Sequence, residues 1–264
     1  MKHNNKIWIV DAFTNKPFSG NPAAVMIVSD FPENAVSIAA EMNLSETAFV
    51  KPLRDGRFHI RWFTPIVEVT LCGHATLASA HILFQENLVP DNQITFDSLS
   101  GPLHSKREKD GLVLDFPLQK TGKQLDTSVF ASALKINQDN IIEAVESSDD
   151  VIVMLKNEDM VKQLSPDFAK IQQITTRALI VTAASKTYDC VSRFFSPRIG
   201  INEDPVTGDA HRKLAYFWSQ KLQKMVLSAY QASPRGGILH LQVQGDRVFL
   251  KGEAVTVMEG IWKA

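Results

Sequence analysis

The stretch RWFTPIVEVTLCGHATLASA at residues 61–80 decides the reading of the chain. A strand-like run ends at Pro65, a short loop follows, and an Ala-rich helix opens through Cys72, Gly73 and His74. Glycine and histidine are mediocre helix formers. Their place in a first turn points to backbone N–H groups kept open for a partner. A second stretch, RFFSPRIGINEDPVTGDAH at 193–211, repeats the arrangement. Arg61-Trp62-Phe63-Thr64-Pro65 and Arg193-Phe194-Phe195-Ser196-Pro197 share the order Arg, aromatic, Phe, hydroxyl, Pro. Each leads on to Gly-polar-Ala, as Gly73-His74-Ala75 and Gly208-Asp209-Ala210. The offsets are 193 − 61 = 132 and 208 − 73 = 135, about half of the 264-residue chain. Two matched elements, in one order and at half the length, indicate an internal duplication.

Composition narrows the class. With 44% hydrophobic and 22% charged residues the chain is an ordinary globular protein. A net charge of −1 gives no footprint for nucleic acid or a membrane surface. The start MKHNNKIWIVDAF lacks a long apolar core and a small-residue cleavage site, so no signal peptide is expected, and no segment has the length of a membrane span. Two cysteines, Cys72 and Cys190, make no disulfide scaffold and fit a reduced, cytoplasmic setting. No Cys or His pair has zinc-ligand spacing, and there is no P-loop or GxGxxG. Neither a metal nor a nucleotide cofactor is expected, and the partner is a small molecule.

Short β-type runs dominate both halves, among them KIWIVDAF, TAFVKPL and RFHIRWF in the first and RALIVTAA, YDCVSRFF and ILHLQVQ in the second. Each half has one long helix, starting near Gly73 and near Gly208. The first is apolar on most sides, as in a helix enclosed by a sheet. Weaker helical patterns cover 33–44 and 127–145, and the polar run at 118–128 reads as the passage between halves. The expected fold is α/β (α+β): domains 1–120 and 121–264, each a curved, mainly antiparallel sheet around its own helix, with a cleft between. The chain end is a candidate to cross back to the first domain.

Both helix starts then have a physical use. A helix N-terminus offers free donors and positive dipole character to an anion or to developing negative charge. A glycine that merely permits a tight turn would give either one alone; the pairing favours a site. Glu46, in NLSETAFV, lies where a helical stretch gives way to a strand. It is either a solvated end residue or, if buried, a proton shuttle. His74 can donate to a ligand or satisfy the turn. Asp204 before Pro205 fits loop hydrogen bonding, and Asp209 fits a helix cap. Cys72 is either a small hydrophobe or a thiol acid/base, and Cys190 reads as core.

DAFTNKPFSGNPAAV, NLSETAFV, RWFTPIVEVTLCGHATLASA, EDPVTGDAH and SPRGGILHLQVQGDRVFLKGEAVTVMEG run in order from residue 11 to near the chain end. Together they resemble the PhzF (phenazine-biosynthesis-like) family. The resemblance implies the diaminopimelate-epimerase-like fold, with the active site between two similar domains, and an isomerase that works without a cofactor, plausibly as a homodimer. It makes Glu46 the general acid/base and Gly73, His74, Asp204, Gly208 and position 209 the substrate-binding residues. Where the family usually has serine, this chain has Asp209. A carboxylate there is expected to occupy the anion site itself, and to repel a substrate carboxylate or favour an amino or hydroxyl group instead. An epimerase of the related fold needs an acid/base thiol on each side; Cys72 matches one, and Thr207 stands where the other belongs. A silent binding protein that retains the fold is the remaining alternative.

Overall fold

The computed structural model describes residues 6–263. In chain order the first elements are β1 (Lys6–Ala12), β2 (Asn21–Ile27), α1 (Ala35–Met42), β3 (Glu46–Pro52), β4 (Phe58–Phe63), β5 (Glu68–Val69), α2 (Gly73–Gln85), β6 (Gln93–Ser98), β7 (Gly101–Glu108) and β8 (Gly111–Pro117). There follow α3 (Ser128–Leu134), β9 (Ile141–Ser147), β10 (Asp150–Leu155), α4 (Glu158–Lys162), α5 (Phe168–Ile174), β11 (Ala178–Ala184), β12 (Cys190–Ser196) and β13 (Ile201–Asp204). The last are α6 (Gly208–Leu222), β14 (Val226–Gln231), β15 (Gly237–Gln244), β16 (Arg247–Gly252) and β17 (Ala254–Ile261). The chain packs as two compact units. One is Pro117–Val248; the other runs to Phe116 and takes back the chain from Phe249. That return places β17 antiparallel to β1.

The two units repeat one strand plan. In the first, β1–β2 is antiparallel, β2–β3 parallel, β3–β4 antiparallel, β4–β6 parallel and β6–β7 antiparallel. In the second, β9–β10, β10–β11, β11–β12, β12–β14 and β14–β15 follow the same order of senses. The register repeats as well: Thr47 faces Phe63, and Leu179 faces Phe195, each 132 residues on. The repeated arginine has a physical task in both copies. Arg61 of β4 grips Glu68 of β5 through two bonds of 2.7 Å. Arg193 of β12 grips Glu203 of β13 through bonds of 2.7 and 2.8 Å. A bidentate fork of this kind fixes the loop that turns toward each long helix.

Each long helix is held by its sheet. α2 packs against β1, β2, β3 and β17, and every residue from Gly73 to Ala80 is buried. Its buried hydroxyls are answered within the helix: Thr76 Oγ1 donates to Cys72 O at 2.5 Å and Ser79 Oγ to Ala75 O at 2.7 Å. In α6, Leu214, Phe217 and Trp218 are buried, and His211 Nδ1 lies 2.8 Å from Thr207 O. Thr76 and His211 thus make the same contact, four residues back to the N-cap carbonyl.

One expected element differs. The helical pattern over 127–145 yields α3 only as far as Leu134, where Lys135 reverses the chain at φ +55°. Asn137 then caps a short turn by accepting from Asp139 N, and Ile141–Ser147 runs as β9 beside β10. Sheet pairing there overrides the helical preference of IIEAVES.

Gly20 controls the entry to β2. It sits at φ +65°, and a Cβ would lie 2.2 Å from Ala12 O and 2.7 Å from Thr14 Cγ2. Gly20→Ala should therefore cost roughly 1–3 kcal/mol or more, read as a fall in the urea midpoint at unchanged m-value. An unchanged midpoint would mean that the hairpin relaxes freely.

Candidate active site

Glu46 opens β3 with its Cα opposite Ala23 of β2. From there its Oε2 comes to 3.1 Å from His74 Nε2, in the first turn of α2. The distance is that of an ion pair, while the angle misses hydrogen-bond alignment. On the other side of the ring, His74 Nδ1 lies 3.1 Å from Asn21 Nδ2 and 3.6 Å from Cys72 Sγ. Asn21, Cys72 and His74 are buried, and the Glu46 side chain keeps 14% of its surface. Burial alone would lower the His74 pKa, but Cys72 and Glu46 outweigh it and hold it well above its ordinary value. Burial pushes the Cys72 thiol up to about 11; Glu46 adds to this and His74 partly offsets it. Cys72 is therefore a protonated thiol at neutral pH.

Asn21 reads the state of that ring. An imidazolium carries a proton on both nitrogens, so it needs the amide oxygen at Nδ1; a neutral ring with its proton on Nε2 accepts from the amide nitrogen. A half-turn of the Asn21 amide connects the two. The Glu46 carboxylate favours the imidazolium. The sequence reading missed Asn21; its only signal was Gly-Asn-Pro leading into a strand that runs parallel to Glu46's own.

In the second unit, Asp204 ends β13 and accepts from Thr207 Oγ1, while its carbonyl accepts from Gln231 Nε2 at 2.7 Å. Gln231 Oε1 also accepts from Thr207 N at 2.8 Å, which fixes the loop before α6. Neither Cys72 nor Thr207 caps its helix with its side chain, so the first-turn donors at Gly73 and at Gly208 are not taken by a cap.

Asp209 is not the open anion expected from the sequence. Its carboxylate accepts from Arg177 Nη2 and from Arg212 Nε at 2.6 Å, and Lys213 Nζ stands 3.2 Å away. Arg177 is shared in turn with Asp150, whose side chain is fully buried, and with Asp149. Lys213, also buried, donates to Asp150 Oδ2 at 2.5 Å. Three cations meet three carboxylates, so the group is neutral overall. Burial by itself would raise the Asp209 pKa, but Lys213, Arg177 and Arg212 hold it far below the usual carboxylate range. Asp150 goes the other way, pushed up by burial against Arg177 and Lys213. Two carboxylates on one guanidinium titrate apart for this reason.

The structure therefore gathers Glu46, Gly73 and His74 in one cluster, and sets Asp204 and Asp209 on two separate networks flanking Gly208. The repeat register also shows what was not duplicated. Glu46 pairs with Ala23 at the head of β3, and the matching pair at the head of β11 is Ala178 with Asp150. Cys72 and Thr207 occupy the matching N-caps.

The model of the phenazine biosynthesis-like protein family matches residues 10–260. An uncharacterized isomerase of Pseudomonas aeruginosa is 46% identical over 254 residues, covering 95% of each chain. The crystal structure of a PhzF-family protein from Enterococcus faecalis superposes with a TM-score of 0.93 at 40% identity, over 98% of this chain and 99% of that one. A predicted epimerase of Pseudomonas aeruginosa shares the fold alone, with a TM-score of 0.79 at 19% identity over 99% and 100% of the chains. The chain belongs to the phenazine biosynthesis-like family, has its epimerase-type fold, and is an isomerase. Among the described residues no helix is long and apolar enough to cross a membrane.

Removing the fully buried Asp150 (Asp150→Ala) should cost roughly 3–5 kcal/mol, because it strips Lys213 and part of Arg177 of their partner. Chemical denaturation at pH 7 reads this, and a loss below about 1 kcal/mol would sink the network's structural role. Asp209 has the acid signature. Its folded pKa is depressed, so its contribution is full above the unfolded value of about 3.9 and is lost as pH falls below it. Asp209→Asn should flatten the fall in stability below about pH 4 relative to the parent.

Proposed function

We propose that this isomerase moves a proton between two carbons of a small acidic or amino-bearing metabolite, with Glu46 as the single acid/base and without a cofactor. The observation that carries the reading is the missing second base. In the repeat, the counterpart of Glu46 is Ala178 and the counterpart of Cys72 is Thr207, and neither can exchange a proton at neutral pH. One base works from one face, so the proton leaves and returns on the same face of the substrate. Inversion of a stereocentre needs a group on each side.

In the reaction, the Glu46 carboxylate takes a proton from a carbon beside an activating group. The electron pair moves into that group, and Glu46 returns the proton to the other end of the delocalised system. His74 stands beside the carboxylate and donates to the charge that develops. The first-turn N–H groups at Gly73 add partial positive charge to the same place. Burial strengthens each of these contacts by excluding water. At the other helix start, Asp204 and Gly208 serve binding. Asp209 acts there through Arg177 and Arg212, so the repulsion of a substrate carboxylate that its charge alone would cause is largely cancelled.

Incubation in heavy water with a panel of cyclic and amino-acid-like acids should place deuterium at carbon in the true substrate. Glu46→Gln should lower turnover by on the order of 100-fold or more while ligand affinity in calorimetry survives. Full turnover in this variant on a confirmed substrate would refute the shuttle. Cys72→Ser should lose far less, and a loss equal to that of Glu46→Gln would restore the two-base epimerase. Asp209→Ser leaves three cations facing two carboxylates, so affinity for small carboxylates should rise several-fold, at a cost in stability.

A further inference from the structure

We propose that Glu46, Cys72 and His74 form a three-ligand site for a thiophilic divalent cation of the Zn2+ class. The ligating atoms, one from each residue, all lie within 4.8 Å of one another. Tetrahedral zinc, with bonds of about 2.0–2.1 Å to N or O and about 2.3 Å to S, sets its ligands about 3.3–3.6 Å apart. His74 Nε2 is 3.1 Å from Glu46 Oε2 and 4.0 Å from Cys72 Sγ, and the widest separation in the set is bounded at 4.8 Å. Side-chain rotation of Glu46 and Cys72 toward Nε2 therefore has to draw the three atoms together on binding. The set is the mixed S, N and O type that suits zinc better than calcium or magnesium.

Three further features fit an ion there. Glu46 Oε2 is a buried oxygen that makes no aligned hydrogen bond. The far nitrogen of the ring, Nδ1, lies 3.1 Å from the Asn21 amide, and a half-turn of that amide brings its oxygen there to accept the Nδ1–H of a metal-bound imidazole. The thiolate form of Cys72 gains from its place at the helix start, where the dipole favours an anion. On binding, the Cys72 thiol proton and the Nε2 proton of the His74 imidazolium both leave to solvent, and a thiolate, a carboxylate and a neutral imidazole balance the double charge of the ion. Three protein ligands leave the fourth position open to water or a substrate oxygen. Linear spacing hides the site, because Glu46 reaches it from a different strand.

A bound ion occupies Glu46, so it should stop the proton transfer; this consequence rests on the proposed function, whereas the site itself does not. The test therefore begins without substrate. Metal-free protein titrated with Co2+ should bind one equivalent and develop a near-ultraviolet thiolate-to-cobalt absorption with the visible bands of tetrahedral Co2+. One equivalent of Zn2+ should bleach both. Cys190→Ser should keep the thiolate band and Cys72→Ser should lose it, with thermal unfolding reporting that both variants are folded. Glu46→Gln should weaken Zn2+ by at least the roughly 10–100-fold that an outer-contact change costs. Absence of the band in the parent, or its survival in Cys72→Ser, overturns the site. In a turnover assay, Zn2+ should inhibit and a chelator should restore the rate. Tight binding at Cys72 with full turnover would leave the metal site standing and overturn the Glu46 shuttle instead.

Discussion

A histidine in the first turn of a helix works against the helix dipole, and His74 does so while buried. Burial and dipole both disfavour its charge, so the imidazolium depends on the Glu46 carboxylate that stands beside it. That dependence organises the first unit. β3 must begin at Glu46 to bring the carboxylate to the ring, and β2 must begin at Asn21 to hold the other nitrogen. Gly20, in a left-handed conformation against Ala12, sets where β2 begins. A charge held against two opposing terms is easily moved, which is the property an acid/base site requires.

The matching position in the second unit solves the opposite problem. Asp209 works with the dipole of α6, and three cations surround it. Its proton affinity is driven far down rather than poised, and Asp150 beneath it is locked between Arg177 and Lys213. Such a network resists change, since removal of one member leaves buried charge uncompensated. One scaffold thus carries a labile pair at one helix start and a fixed pair at the other. The difference lies in the identity of one residue after each glycine and in which neighbouring strand supplies its partner.

Much of this was legible in the sequence for physical reasons. The strand runs alternate or are continuously apolar, and Gly73 and Gly208 mark both helix starts within ordinary boundaries. The duplication was legible because Arg61 and Arg193 each need a glutamate fork, which preserved the pattern around them. Glu46 stands out because glutamate is disfavoured in a strand and its neighbours Thr47–Val50 read as buried, while the sequence leaves open whether it is solvated or turned inward. The strand Ile141–Ser147 was hidden, since its glutamates and Ala144 fit a helix equally well until β10 lies beside it. The role of Asp209 was hidden for a related reason. Arg177 and Asp150 are 32 and 59 residues away in sequence (209 − 177 and 209 − 150), and only the parallel pairing of β10 with β11 makes them its neighbours. Partners that meet across strands leave no local trace.

The asymmetry of the repeat also constrains the chemistry that this scaffold can support. A duplicated fold offers two equivalent strand heads and two equivalent helix starts, and each unit could place a base at its own. Here the second strand head is Ala178 and the second N-cap is Thr207, so both equivalents lack a proton-exchanging group. A buried acid is present nearby, as Asp150, but it sits on the neighbouring strand and is consumed by Lys213 and Arg177. To free that acid as a second base, the chain would have to release it from its ion-pair network, which leaves buried positive charge uncompensated. The network that holds Asp150 therefore also keeps the buried acid beside the second strand head tied to its cations.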